Sequence, residues 1–88
     1  MAPSAFRNRS KHEIIFEMLS LCDFHPMIKT DLMYKSNLSF FQVQRYIKIL
    51  KHQKLVVENI FKGKRSYIIT EKGREYVHAF QQLLEAYN

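Results

Sequence analysis

Eighty-eight residues, 47% of them hydrophobic, make one small domain with enough apolar material for a core, which excludes global disorder. The formal net charge of +6 is concentrated: residues 29–65 hold nine basic side chains (Lys29, Lys35, Arg45, Lys48, Lys51, Lys54, Lys62, Lys64, Arg65) against two acids, Asp31 and Glu58. Such clustering points to a polyanionic partner rather than to solubility alone, and the single cysteine, Cys22, excludes an intrachain disulfide.

Residues 1–9, MAPSAFRNR, lack periodicity and read as a flexible arm. The arm is either plainly disordered or carries Arg7 and Arg9 to phosphates or a narrow minor groove. Ser10-x-x-Glu13 is a capping-box pattern that opens a first helix, with Ile14, Ile15, Met18, Leu19 and Cys22 as its apolar stripe. Phe16 falls on the far side, as an exposed aromatic or as a contact for another chain. Pro26 ends the helix, because it drives His25 out of helical geometry.

Residues 30–36 read as a short second helix with Thr30 as N-cap and Leu32 and Met33 inward. Asn37 suits the left-handed residue that ends it. Ser39-x-x-Gln42 is a second capping box and opens a third helix. Two helices joined by so tight a turn form a helix-turn-helix, whose second helix docks. In the third helix Val43, Tyr46, Ile47 and Leu50 share one face. The opposite face carries Phe41, Gln44, Arg45, Lys48 and His52, with no acid between Leu38 and Val56.

Residues 55–61 and 66–70 are rich in β-branched and aromatic side chains and read as two strands. Between them Lys62-Gly63-Lys64-Arg65 makes a cationic hairpin tip, with Gly63 supplying a positive φ. Thr70 caps a last helix, and Gly73 in its first turn implies close packing against the preceding strand. Tyr76, Val77, Phe80, Leu83, Leu84 and Tyr87 form a continuous stripe along this helix. At roughly 1.5 Å per residue it would run about 27 Å, longer than so small a domain can cover. Phe80, Leu83, Leu84 and Tyr87 are therefore expected to meet a second copy of the chain.

The order helix, helix, helix, hairpin, helix resembles a winged helix-turn-helix: mainly α, with a three-helix core, a two-stranded wing and a C-terminal dimerisation helix. The run from Leu38 to Val56 resembles bacterial and archaeal regulators in which "LS" starts the recognition helix and "LV" the wing. Tyr67, Thr70, Gly73 and Arg74 match a Y-x-x-T-x-x-G-R passage into the final helix. Lys29, Thr30, Tyr34, Asn37, Leu38 and Ser39 resemble the KT-x-x-x-Y-x-x-NLS run of small archaeal winged-helix DNA-binding proteins. The resemblance covers residues 10–88: a domain at 10–70 and a C-terminal helix at 71–88 for packing and dimerisation. In that family the last helix forms the dimer, often as an antiparallel coiled coil; members with long coiled coils extend beyond the position of Asn88, which implies a shorter contact here. One departure is Lys54, where such regulators usually have glycine.

A recognition helix in the major groove would read base edges with Phe41, Gln42, Gln44, Arg45 and Lys48: glutamine suits adenine, arginine guanine, and phenylalanine a thymine methyl. Lys29, Thr30, Ser39, Lys51, Lys62, Lys64 and Arg65 are the candidates for the DNA backbone. His52 would add charge below about pH 6.5. The plainer alternative is a solvated basic face that reads no bases. Four or five phosphate contacts per subunit would give a log–log salt slope of about −4.

Cys22-x-x-His25 is half a zinc pattern without a matching second pair, so no metal site is expected. The sequence has no glycine-rich phosphate loop, no paired nucleophile and base, and no carboxylate cluster, so neither an enzyme nor a cofactor is expected. Nor is there a run of membrane-spanning length, an apolar secretion-signal core or a visible small-molecule domain. The expectation is a cytoplasmic, nucleoid-associated homodimer on double-stranded DNA that acts as a sequence-specific transcriptional regulator. An architectural chromatin protein of low specificity and a winged-helix protein-interaction module are the alternatives.

Overall fold

The first helix, α1 (Lys11–Phe24), starts at Ser10 through the reciprocal bonds its sequence predicts: Ser10 Oγ accepts from the Glu13 amide, and Glu13 Oε1 accepts from the Ser10 amide. The computed structural model describes residues 9–87; residues 1–8, Arg7 among them, and Asn88 lie outside the described residues. Arg9 departs from its expected place in a free arm. Its guanidinium pairs with Glu17 and also donates to the Asn37 carbonyl, so its side chain is only 10% exposed.

After Pro26 the chain runs extended through β1 (Met27–Ile28) directly into α2 (Lys29–Lys35). Two expectations are corrected here. The sheet has three strands, in the order β1-β3-β2, where only a hairpin was expected. β1 is two residues long, too short to give a periodic signal, and is held by pairing Met27 with Tyr67 and Ile28 with Ser66. The same ladder sets where α2 begins. Its N-cap is Ile28, with no side-chain hydrogen bond, so Thr30 lies inside the helix and does not cap it.

α2 and α3 (Phe40–His52) end alike, each in a Schellman turn. At the first, Leu38 N–H reaches the Met33 carbonyl and Asn37 N–H the Tyr34 carbonyl; at the second, Leu55 N–H reaches Leu50 and Lys54 N–H reaches Lys51. The left-handed residue is Asn37 at φ 55° in one and Lys54 at φ 61° in the other. Each turn is followed by a leucine, Leu38 or Leu55, that enters the core.

β2 (Val56–Phe61) and β3 (Lys64–Ile69) pair antiparallel down to Phe61 opposite Lys64. The turn is therefore two residues, Lys62 at φ 52° and Gly63 at φ 76°, the positive pair that a tight right-twisting hairpin requires. Lys64 and Arg65, expected at the tip, stand on the strand beside it.

α4 (Glu71–Ala86) begins where α3 and β2 meet. Thr70 Oγ1 accepts from the Gly73 amide and donates to the Lys54 carbonyl, and Lys72 Nζ donates to the Gln53 carbonyl. A Cβ on Gly73 would collide with the Leu55 carbonyl oxygen and the Ile69 side chain, so the helix approaches this corner as closely as its sequence implied. Arg74 binds Asp23 at 3.0 Å, tying α4 to α1. Met18, Leu19, Leu32 and Val43 are fully enclosed at the centre, where α1, α2 and α3 meet the inner face of the sheet.

Candidate nucleic-acid interface

Ser39 and Gln42 position the helix that presents the candidate residues. Gln42 Oε1 accepts from the Ser39 amide at 2.9 Å and Ser39 Oγ accepts from the Gln42 amide at 3.2 Å. Both were named as DNA contacts; both are engaged in starting α3, which leaves Gln42 its amide donors for a ligand. Val43, Ile47 and Leu50 bury one face of the helix, and Tyr46 and Ile49 flank them. That burial turns Phe41, Arg45, Lys48 and His52 outward, with Gln44 half-buried at the margin. Phe41 is 79% exposed and meets the edge of Phe40 at 6.1 Å. Arg45 and Lys48 make no hydrogen bond or ion pair among the described residues. An uncompensated guanidinium and ammonium one turn apart on a rigid helix are free to take a polyanion's oxygens or base edges.

The expected backbone-binding residues fall into two groups. Lys64 stands exposed on the wing beside the Lys62-Gly63 turn, without a hydrogen bond or ion pair among the described residues. Lys51 and Arg65 are not free: Glu58 Oε2 lies 2.9 Å from Lys51 Nζ and 3.8 Å from Arg65 Nε. Their pull holds the Glu58 carboxyl below the usual carboxylate range, first through the Lys51 hydrogen bond and, against some desolvation, through the charges of Lys51 and Arg65 and the Tyr67 hydroxyl. No sequence motif marks Glu58 for this role. At the start of α2, Lys29 Nζ lies over the Phe40 ring, 5.4 Å from its centroid, and Thr30 is exposed.

On α4 the expected dimer residues divide. Phe80 is half-buried within its own chain, stacked on Phe16 at 4.7 Å and on Tyr76 at 6.3 Å. Phe16, whose place in the sequence fits either solvent or a partner chain, has an intrachain partner. Leu83 and Tyr87 remain 60% and 89% exposed, with Leu84 half-buried between them.

Cys22 is enclosed in the core, where burial pushes its thiol up to about 12, whereas His25 is exposed. Among the described residues no three His, Cys, Asp or Glu side chains gather as a metal site, and no helix is long and apolar enough to cross a membrane.

A family model described as winged helix-turn-helix matches residues 8–87. Uncharacterized protein MJ0287 of Methanocaldococcus jannaschii is 31% identical over 80 residues, covering 91% of this chain and 78% of its own length. The crystal structure of Sso10a-2, a DNA-binding protein from Sulfolobus solfataricus, superposes with a TM-score of 0.79 at 22% identity, covering 89% of this chain and 81% of that one. The Staphylococcus aureus MepR–DNA complex superposes with a TM-score of 0.73 at 13% identity, covering 90% of this chain and 67% of that one. At these identities the two structures share a fold with this protein. With the family model spanning nearly the whole chain, the protein belongs to the winged helix-turn-helix family.

Proposed function

We propose that the protein binds double-stranded DNA sequence-specifically as a homodimer and acts as a transcriptional regulator. The observation that carries this reading is the outer face of α3, where Arg45 and Lys48 stand exposed and uncompensated beside Phe41 and Gln44 with no acid in the helix. Lying in a major groove, α3 would set Arg45 and Gln44 against base edges and Phe41 against a thymine methyl, with Lys48 on phosphate. The wing, with Lys62, Lys64 and Arg65, would lie on the flanking backbone. The DNA-binding proteins among its structural neighbours support the same use of the fold.

The dimer reading rests on an apolar row at the distal end of α4, where Leu83 and Tyr87 stand exposed with the half-buried Leu84 between them. A second copy packed along that row would bury it and would set two recognition helices to read half-sites about 34 Å apart.

Selection of bound duplexes from a random pool tests the proposal. A regulator enriches a motif with two-fold symmetry and keeps it against excess random duplex. A protein that coats DNA enriches nothing, and one that binds only other proteins retains no duplex even at low salt.

A further inference from the structure

Between Asp31 and Glu71 the sequence contains one acid, Glu58. Its position on β2 brings it to the junction of the recognition helix and the wing. A single oxygen, Oε2, faces three donors there: Lys51 Nζ at 2.9 Å from the end of α3, and Tyr67 OH at 3.4 Å and Arg65 Nε at 3.8 Å from the facing strand β3. Tyr67 stands directly opposite Glu58 in the ladder, so the pairing register itself delivers the hydroxyl. The two cations are open to solvent, with side chains 43% and 66% exposed, and the carboxylate is 31% exposed. Ion pairs this exposed add little to stability. What sets this one apart is where it lies: two of the cations expected on DNA phosphates converge on the one acid between Asp31 and Glu71.

A carboxylate and a phosphate present the same chemistry to an ammonium and a guanidinium, namely anionic oxygens that accept charge-assisted hydrogen bonds. We propose that Glu58 is an internal counter-ion of the DNA-binding face, occupying in the free protein the place that a backbone phosphate takes in the complex. On docking, Lys51 and Arg65 exchange the carboxylate for phosphate oxygens, and Glu58 keeps its bond from the Tyr67 hydroxyl. The exchange weakens binding to every polyanion equally. An equal penalty cancels from the ratio between sequences, so Glu58 sets how tightly the protein holds any polyanion, through Lys51 and Arg65, and leaves the choice among sequences to base contacts from α3. This inference rests on the DNA-binding reading above.

The test is a double-mutant cycle read by fluorescence anisotropy on a labelled mixed-sequence duplex, with thermal unfolding recorded for each variant. E58Q should tighten binding by roughly two- to fivefold, the scale of one exposed ion pair. The gain should shrink to that of a remote acid when E58Q is placed in a K51M/R65M background. E75Q, which removes an acid from α4, should give a smaller effect that is the same in both backgrounds. Weaker binding by E58Q would overturn the proposal, since the carboxylate would then be holding the cations in place for DNA. An undiminished gain in K51M/R65M would overturn it as well, by reducing Glu58 to one negative charge among others. A wild type that binds no duplex removes the DNA reading and this inference together, whereas wild-type binding without the E58Q gain removes this inference alone.

Discussion

Lys54 holds the left-handed position of the second Schellman turn at φ 61°, where its Cβ crowds the backbone. The strain belongs to the residue and not to its contacts, because the Lys54 side chain is exposed and makes no bond among the described residues. K54G should therefore stabilise the fold by about 1 kcal/mol and raise Tm by roughly 4–8 °C in thermal unfolding; an unchanged or lower Tm would contradict a strained turn. Glu58 offers a second test at this scale. Its pKa is lowered chiefly by the Lys51 hydrogen bond. Its contribution to stability is thus present above the pKa of an unfolded glutamate and is lost as pH falls through its own, lower value. Carboxyl NMR titration should find Glu58 below the usual range in the wild type and shifted upward in K51M. Single residues differed in how legible they were. Ser10, Asn37, Ser39, Thr70 and Gly73 announced their roles because each acts through backbone bonded within a few residues of itself or through the lack of a side chain. The Glu58 network was hidden: its partners Lys51 and Arg65 each lie seven residues away, and only the strand register and the turn after α3 bring them to one oxygen.

At the scale of elements, α4 is divided along its length. Its first half is fixed by Thr70, Gly73, Arg74, Val77 and the Phe16–Phe80 stack, whereas Leu83 and Tyr87 remain exposed. The proposed dimer should appear in light scattering at micromolar concentration, and replacing Leu84 and Tyr87 together with glutamate should leave a monomer without altering the α1–α4 packing. A wild type already monomeric under those conditions would reject the dimer. α1, α3 and α4 were readable from spacing and caps, since each follows a serine or threonine N-cap and carries an apolar stripe. α2 is the exception at its start, and the cause is β1. Two residues cannot show a period, and a strand that pairs only with the distant β3 leaves no local trace, so the entry into α2 was assigned to Thr30 when the ladder had already set it at Ile28.

For the whole molecule the governing quantity is the arrangement of charge. Residues 29–65, which form α2, α3 and the wing, carry nine basic against two acidic side chains, and on the outer face of α3 Arg45 and Lys48 are held by the helix without a hydrogen bond or ion pair among the described residues. Anisotropy titration of a labelled duplex at low salt, with R45A/K48A compared against wild type, tests this most directly. The wild type should bind and the variant should bind roughly 10- to 100-fold more weakly, with Tm unchanged because neither side chain bonds within the fold. Equal affinity of the two proteins would contradict it.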